Sequence, residues 1–178
     1  KSKIIFWGTS EFAVPSLESL VKGGYLISAV VTNPDKPVGR KQILTPSPIK
    51  IIAQRHEIPV LQPANLKIYN LQPTTYKPDL FIVVSYGKII PKEILGLPKF
   101  GALNIHPSLL PRWRGPSPIQ YTILNGDKET GVTIIKMDEK MDHGPIIASC
   151  KLQVISYKFK YKELHDKLAE LGEKILLE

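Results

Sequence analysis

The chain has 178 residues, 43% hydrophobic and 22% charged, a balance that suits one folded domain and excludes disordered, collagen-like and disulfide-dense classes. No apolar run approaches the roughly eighteen residues of a membrane span, and the apolar stretch after Lys3 is too short for a signal peptide. A cytoplasmic protein with no membrane partner is therefore expected, and its net charge of +8 suits a polyanion such as RNA. The single cysteine, Cys150, excludes an intrachain disulfide and a cysteine-rich metal site, and reads as a small buried hydrophobe.

Residues 3–7 form a β-rich run stopped by Gly8. Thr9 or Ser10 can cap a helix with Phe12, Val14, Leu17, Leu20 and Val21 at its apolar positions, and Gly23-Gly24 ends it. With a strand over 26–32 this makes a parallel crossover unit. Residues 48–55 read as a helix opened by proline, and 60–61 as a very short strand. The continuous apolar run over 80–85 predicts a strand buried on both faces. A helical turn over 92–95, a strand over 102–106, a helix over 117–124 and a strand over 132–137 follow. A further strand over 146–154 is a candidate for antiparallel pairing. Residues 161–177 predict an amphipathic helix with Leu164, Leu168, Leu171 and Ile175 on one stripe. Strands alternating with helices predict an α/β fold: an open, mostly parallel, Rossmann-like sheet with helices on both faces, one domain over 1–178. Most of the sixteen prolines fall between these segments and read as rigid loops.

Asn104 and His106 are two residues apart at the end of a predicted strand, so both side chains point to one face. Ligands of open α/β sheets sit at the carboxyl ends of strands. The stretch after 132–137 holds several acids at what reads as another such end, and Asp142 could reach His106 if the two strands are neighbours. An amide, an imidazole and a carboxylate without their own nucleophile suit acyl transfer between two bound substrates. Asn104 and a protonated His106 would stabilise an oxyanion, and Asp142 would pair with the imidazole and relay protons. On spacing alone, a turn-forming asparagine and a structural histidine remain open alternatives.

The string "NIHPSLLPRWRG" followed by "DHGP" resembles the folate-dependent formyltransferases. Within that family the likeness is to the members that act on methionyl-tRNA. "IIFWGTSEFAVPSLESL", "NPDKPVGRKQILTPSPIK", "VVSYGKIIPKEIL", "GDKETGVTIIKMDEKMDHG" and "LHDKLAELG" occur in the family's order and span nearly the whole chain. The resemblance implies catalytic Asn104, His106 and Asp142, with 10-formyltetrahydrofolate as donor, initiator methionyl-tRNA as acceptor and no metal. It implies a folate site at Ser108, Leu109, Leu110 and Pro111, at Tyr86, Gly87, Ile89 and Ile90, and at Asp138, held mainly by backbone groups around the ring. It implies tRNA contacts at Arg40, Lys41, Arg112 and Arg114, with a monomer expected.

Three departures are visible. The loop over 34–50 lacks the family's lysine pair after Arg40, carrying Lys41-Gln42 instead. Lys140 stands where the family has a small residue, placing a cation two residues from Asp142. The β-rich tRNA-gripping domain usual in the family has no counterpart in these residues, so a catalytic domain alone is expected. Trp113, between Arg112 and Arg114, reads as part substrate contact and part loop brace. "KFKYK", over 158–162, reads as a solvated edge with phosphate contact as the alternative, and His56, His143 and His165 as structural. Gly8-Thr9-Ser10 is not a dinucleotide fingerprint. The competing functions are formyl transfer to an amino sugar nucleotide or another amine, and an inactive RNA-binding module.

Overall fold

The computed structural model describes residues 1–66, 76–154 and 160–178. β1 (Lys3–Gly8) lies inside a sheet that also contains β2 (Leu26–Val31), β5 (Val60–Leu61), β6 (Leu80–Val84), β7 (Ala102–His106), β8 (Glu129–Lys136) and β9 (Ile146–Gln153). The seven strands run in the order β5-β2-β1-β6-β7-β8-β9. Pairing is parallel from β5 to β7 and antiparallel for β8 and β9. The chain winds outward from β1 through β2 to β5, then resumes on the other side of β1 with β6. The carboxyl ends of β1 and β6 therefore form the switch point where open α/β sheets bind ligands.

Alternation along each strand sorts the core into two layers. Phe6, Ile82 and Ile105 face the layer that receives Leu17 of α1 (Val14–Lys22), Ile49 of α2 (Pro48–Arg55), Ile119 of α4 (Pro118–Leu124), and Leu164 and Leu168 of α5 (Tyr161–Leu177). Trp7, Phe81 and Val83 face the opposite layer, with Tyr86, Ile90 and Ile94 of α3 (Lys92–Leu95). There the Trp7 ring meets Phe81 and Tyr86, each at 5.2 Å between centroids. The predicted helices on both faces are present, though the heavier helical cover lies on one.

The expected cap before α1 takes another form. A 3-10 turn, Glu11–Ala13, precedes the helix, and the Ser10 side chain makes no capping bond. Both hydroxyls bind the end of β6 instead: Thr9 Oγ1 donates to the Tyr86 carbonyl at 3.1 Å, and Ser10 Oγ to Ser85 Oγ at 2.7 Å. Asn33, after β2, donates from Nδ2 to the same Tyr86 carbonyl at 2.8 Å and to Thr9 Oγ1 at 3.1 Å. Three strand ends are thus laced together at the switch point.

A hairpin that periodicity did not predict, β3 (Lys36–Val38) with β4 (Ile43–Thr45), lies between β2 and α2. Lys50 Nζ meets Asp35 Oδ2 at 2.6 Å, and Gln62 Nε2 donates to Asp35 Oδ1 at 2.7 Å, fixing the segment that leads into the hairpin. Ser47 Oγ caps α2 by accepting the Lys50 amide at 3.1 Å, beside the expected opening proline. In "KFKYK", 158 and 159 lie outside the described residues; Lys160 is the N-cap of α5.

Leu168 is fully buried between α5 and the sheet. Leu168→Ala is expected to cost about 2–5 kcal/mol of stability, read from the urea unfolding midpoint. Asp35 gives a pH signature. Hydrogen bonds from Lys50 and then Gln62 hold its carboxyl below the ordinary 3.8, against desolvation. Its contribution is complete above 3.8 and is lost as pH falls below that value toward the folded-state pKa. Wild type should therefore lose stability more steeply than Asp35→Asn as acid titration passes below 3.8.

Candidate active site

Asn104 and His106 end β7, and their neighbours Leu103 and Ile105 point into the helix-covered layer. The two polar side chains therefore share the opposite face, as their spacing predicted. His106 is buried, and its Nε2 lies 3.0 Å from the Trp113 carbonyl oxygen. A carbonyl only accepts, so Nε2 carries a hydrogen and Nδ1 is the ring atom left for other partners. Nδ1 faces Asp142, whose Oδ2 is 3.6 Å away, a distance for charge attraction rather than a formed hydrogen bond. Asp142 accepts from Asn104 Nδ2 through Oδ1 at 3.2 Å and from the Gly115 amide through Oδ2 at 2.9 Å. The Asp142 side chain is 13% exposed and its backbone sits at φ 48°, a left-handed conformation that aspartate tolerates better than most residues.

Asp142 reaches this position by a route that strand order alone did not suggest. β8 pairs antiparallel to β7, with His106 opposite Thr133 and Leu103 opposite Lys136. The carboxyl end of β8 is therefore at the far edge from His106, not beside it as expected. The following loop turns back over the sheet face, closed where the Lys136 amide donates to the Pro145 carbonyl at 2.9 Å. Gly144 allows this return, because a Cβ there would collide with the Lys136 carbonyl.

The segment after His106 is braced from below. Thr133 Oγ1 donates to the Ser108 carbonyl at 2.7 Å and accepts the Leu110 amide at 3.1 Å, while Ser108 Oγ donates to the Arg112 carbonyl at 2.6 Å. Arg112 lies over the Trp113 ring at 4.7 Å, and that ring stacks on Tyr121 at 5.4 Å. Trp113 itself is at φ 56°, uncommon for a bulky residue.

A cavity of about 490 Å³ opens beside these groups, a volume suited to a drug-sized ligand. Its walls are Val83 and residues 85–90 after β6, residues 104–107, Gly115 and Pro116, residues 118–120 of α4, and residues 137–142. Ser10, Phe12, Ile135, Tyr161 and His165 complete it. The cavity thus collects Tyr86, Gly87, Ile89, Ile90, Asn104, His106, Asp138 and Asp142. Ser108, Leu109, Leu110 and Pro111 do not line it; they form the braced segment behind. Arg40 and Lys41 are exposed between β3 and β4 and do not line it either. Arg112 is committed to Asp127 through Nε at 3.1 Å and through Nη2, whereas Arg114 is exposed.

Residue-level reasoning passed over the Trp113 carbonyl, Phe12, Gln120, Tyr161 and His165. None carries a local signal, because the first acts through its backbone and the others converge from distant elements. His165, read as structural, packs edge-on against Phe12 at 5.4 Å and bonds Asp166 at 2.9 Å. His143, also read as structural, meets Asp138 at 3.1 Å. That bond, followed by the Lys140 amide, holds the Asp138 carboxyl below its usual range. The Lys140 backbone therefore bears on Asp138. Burial pushes the Tyr86 hydroxyl up to about 12, and this buried oxygen has no hydrogen-bond partner among the described residues. Among the described residues, no group of three or more His, Cys, Asp or Glu could hold a metal ion, and no helix is long and apolar enough to cross a membrane.

This geometry gathers an amide, an imidazole and a carboxylate beside one cavity at the carboxyl end of an α/β sheet. The formyl transferase family profile matches residues 2–178, and the chain belongs to that family. Methionyl-tRNA formyltransferase of Wolbachia pipientis subsp. Culex pipiens (strain wPip) is 51% identical over 98% of this chain and 59% of its own length. The protein of that name from Bacillus subtilis (strain 168) is 46% identical over 99% of this chain and 56% of its own length. The chain thus spans under two thirds of the relatives it matches. Among solved structures, phosphoribosylglycinamide formyltransferase from Bacillus halodurans superposes with a TM-score of 0.77 at 23% identity, covering 98% of this chain and 95% of that one, which shows a shared fold.

Gly144→Ala should lower stability by about 1–3 kcal/mol through overpacking and displace Asp142. Hydrogen exchange checks the second part: the Gly115 amide, bonded to Asp142 in wild type, should exchange faster in the variant.

Proposed function

We propose that this chain transfers a formyl group from 10-formyltetrahydrofolate to the α-amine of initiator methionyl-tRNA. The observation that carries the reading is the convergence of Asn104, His106 and Asp142 on one cavity wall with no serine or cysteine nucleophile among them. The attacking atom must then belong to a substrate. The methionyl-tRNA acceptor is supported by relatives at 46–51% identity that are named methionyl-tRNA formyltransferase.

The cavity suits a folate. Apolar Ile90 and Met137 offer contact to a flat ring, and the peptide groups of Gly87, Ile89 and Ile90 have no hydrogen-bond partner among the described residues. Peptide donors and acceptors of this kind match the edge of a pterin. Asp138 would stand at the same wall. Ser108, Leu109, Leu110 and Pro111 would serve this site by holding the wall rather than by touching the ring.

The step requires three things of the protein. The formyl carbon must lie within reach of Asn104 Nδ2 and His106 Nδ1, so that the oxygen gaining charge is met by preorganised donors. His106 can donate from Nδ1 only when that atom is protonated, because Nε2–H is already committed to Trp113. The amine must lose a proton as its new C–N bond forms, and Asp142 is the carboxylate placed to take it. The C–N bond to the donor then breaks, and the departing nitrogen takes a proton. Exposed Arg40, Lys41 and Arg114 would meet acceptor phosphates, while Arg112 would contribute by shaping the loop. Cytoplasmic location, a monomeric state and a single catalytic domain over residues 1–178 belong to this reading.

The test is formation of formylmethionyl-tRNA from purified protein, 10-formyltetrahydrofolate and methionyl-tRNA. Asn104→Ala is expected to lower kcat by about 10²–10³-fold, the effect of removing one oxyanion donor. His106→Ala should lose at least as much, while folate binding, read by tryptophan fluorescence, changes little. Folate turnover with an amino sugar nucleotide but none with methionyl-tRNA would overturn the acceptor. Full activity in His106→Ala would overturn the site.

A further inference from the structure

We propose that Asp127, outside the cavity, is the positioning residue that sets His106 and Asp142 for formyl transfer; this rests on the catalytic reading of those two residues. Asp127 follows α4, and its side chain is 8% exposed. Its carboxylate accepts four side-chain hydrogen bonds. Oδ2 takes Arg112 Nε at 3.1 Å and Trp113 Nε1 at 2.7 Å, and Oδ1 takes Arg112 Nη2 at 2.5 Å and Asn125 Nδ2 at 2.6 Å. Three of these four bonds thus come from two adjacent residues of the segment that follows His106.

Those residues carry the polar contacts of the catalytic pair. The Trp113 carbonyl receives the His106 Nε2 hydrogen, and the amide of Gly115, two residues on, bonds Asp142 Oδ2. Trp113 is at φ 56° and Gly115 at φ 105°, so the peptide groups between them are turned by a conformation a tryptophan does not adopt unaided. The ring must be held for the backbone to stay turned. Stacking on Tyr121 holds one face of it, and Asp127 holds the indole N–H. Burial opposes the Asp127 charge, but bonds from Arg112, Asn125 and Trp113 outweigh it and keep the carboxyl below its usual range. The anchor therefore stays ionised at neutral pH.

The consequence is specific. Asp127 fixes which ring nitrogen of His106 is committed to the backbone, and so which one faces Asp142 and the substrate. A brace that served only stability would not govern the His106 tautomer.

The experiment uses the folded protein without substrate. Long-range ¹H–¹⁵N spectra of the imidazoles should show His106 with a protected Nε2 hydrogen in wild type. In Asp127→Ala that hydrogen is expected to exchange at least about 10-fold faster, and kcat to fall about 10–100-fold with the folate Kd within about twofold. Asp127→Asn, which keeps an acceptor for the indole, should recover part of both. Trp113→Phe, which keeps an aromatic face for Tyr121 and removes the N–H together with the pyrrole ring, should alter the His106 signal in the same direction and decides the matter if Asp127→Ala does not fold. An unchanged His106 signal in a folded Asp127→Ala or Trp113→Phe protein would overturn the proposal. Full activity in His106→Ala would instead overturn the functional reading, and the ring signal would still decide the coupling.

Discussion

A buried imidazole needs partners for its ring nitrogens, and the hydrogen bond from His106 Nε2 to the Trp113 carbonyl is the contact around which the site is arranged. It closes the turn between the end of β7 and the residues above it. It fixes the ring's orientation without using a second side chain. Because the backbone takes Nε2, Nδ1 is left toward Asp142 and the cavity. The charge of Asp142 then lies among an imidazole nitrogen, an amide nitrogen and a peptide N–H. A carboxylate with an exposure of 13% is tolerable in such a place only with these donors around it. Polar groups that would each be costly alone offset one another there, beside the cavity.

The change from parallel to antiparallel pairing at β8 serves that arrangement. Opposite His106 the sheet places Thr133, fully buried, with a hydroxyl that both donates and accepts. It bonds the Ser108 carbonyl and the Leu110 amide, so the floor beneath the His106 turn is a strand rather than a loop. A parallel β8 would deliver its following loop directly to the carboxyl end of β7. The antiparallel strand must send the loop back across the face, and Gly144 lets it pass close to Lys136. The return path lines the cavity with residues 137–142, and within it Asp138 pairs with His143.

Much of the architecture could be read from periodicity because strands buried on both faces and a long amphipathic helix leave unambiguous patterns. The run at β6, the polar pair on β7 and the stripe on α5 are of this kind. The direction of β8 left no such trace, since an apolar strand reads alike in either orientation; only the pairing with β7 decides it. Thr9 and Ser10 read as caps because local rules see the next helix and not β6, which arrives more than seventy residues later and takes their hydroxyls. The exposed β3–β4 hairpin has too little burial to show alternation. The bracing of Ser108 and Leu110 left no local signal, since their hydrogen bonds run to Thr133 on the strand beneath them.

Asp127 shows why a site can extend beyond what residue types reveal. In the sequence it stands in Asn125-Gly126-Asp127, an ordinary turn signature, and turn formation accounts for its neighbours. A turn aspartate, however, has no use for a guanidinium and an indole. The surplus of donors on one buried carboxylate is the physical sign that it restrains something else. What it holds is a tryptophan in a left-handed conformation whose carbonyl accepts the His106 Nε2 hydrogen. The arginines flanking that tryptophan thereby stand in different settings: Arg112 is held by Asp127, whereas Arg114 is exposed. One short basic segment can then combine a rigid turn with a cation left at the surface.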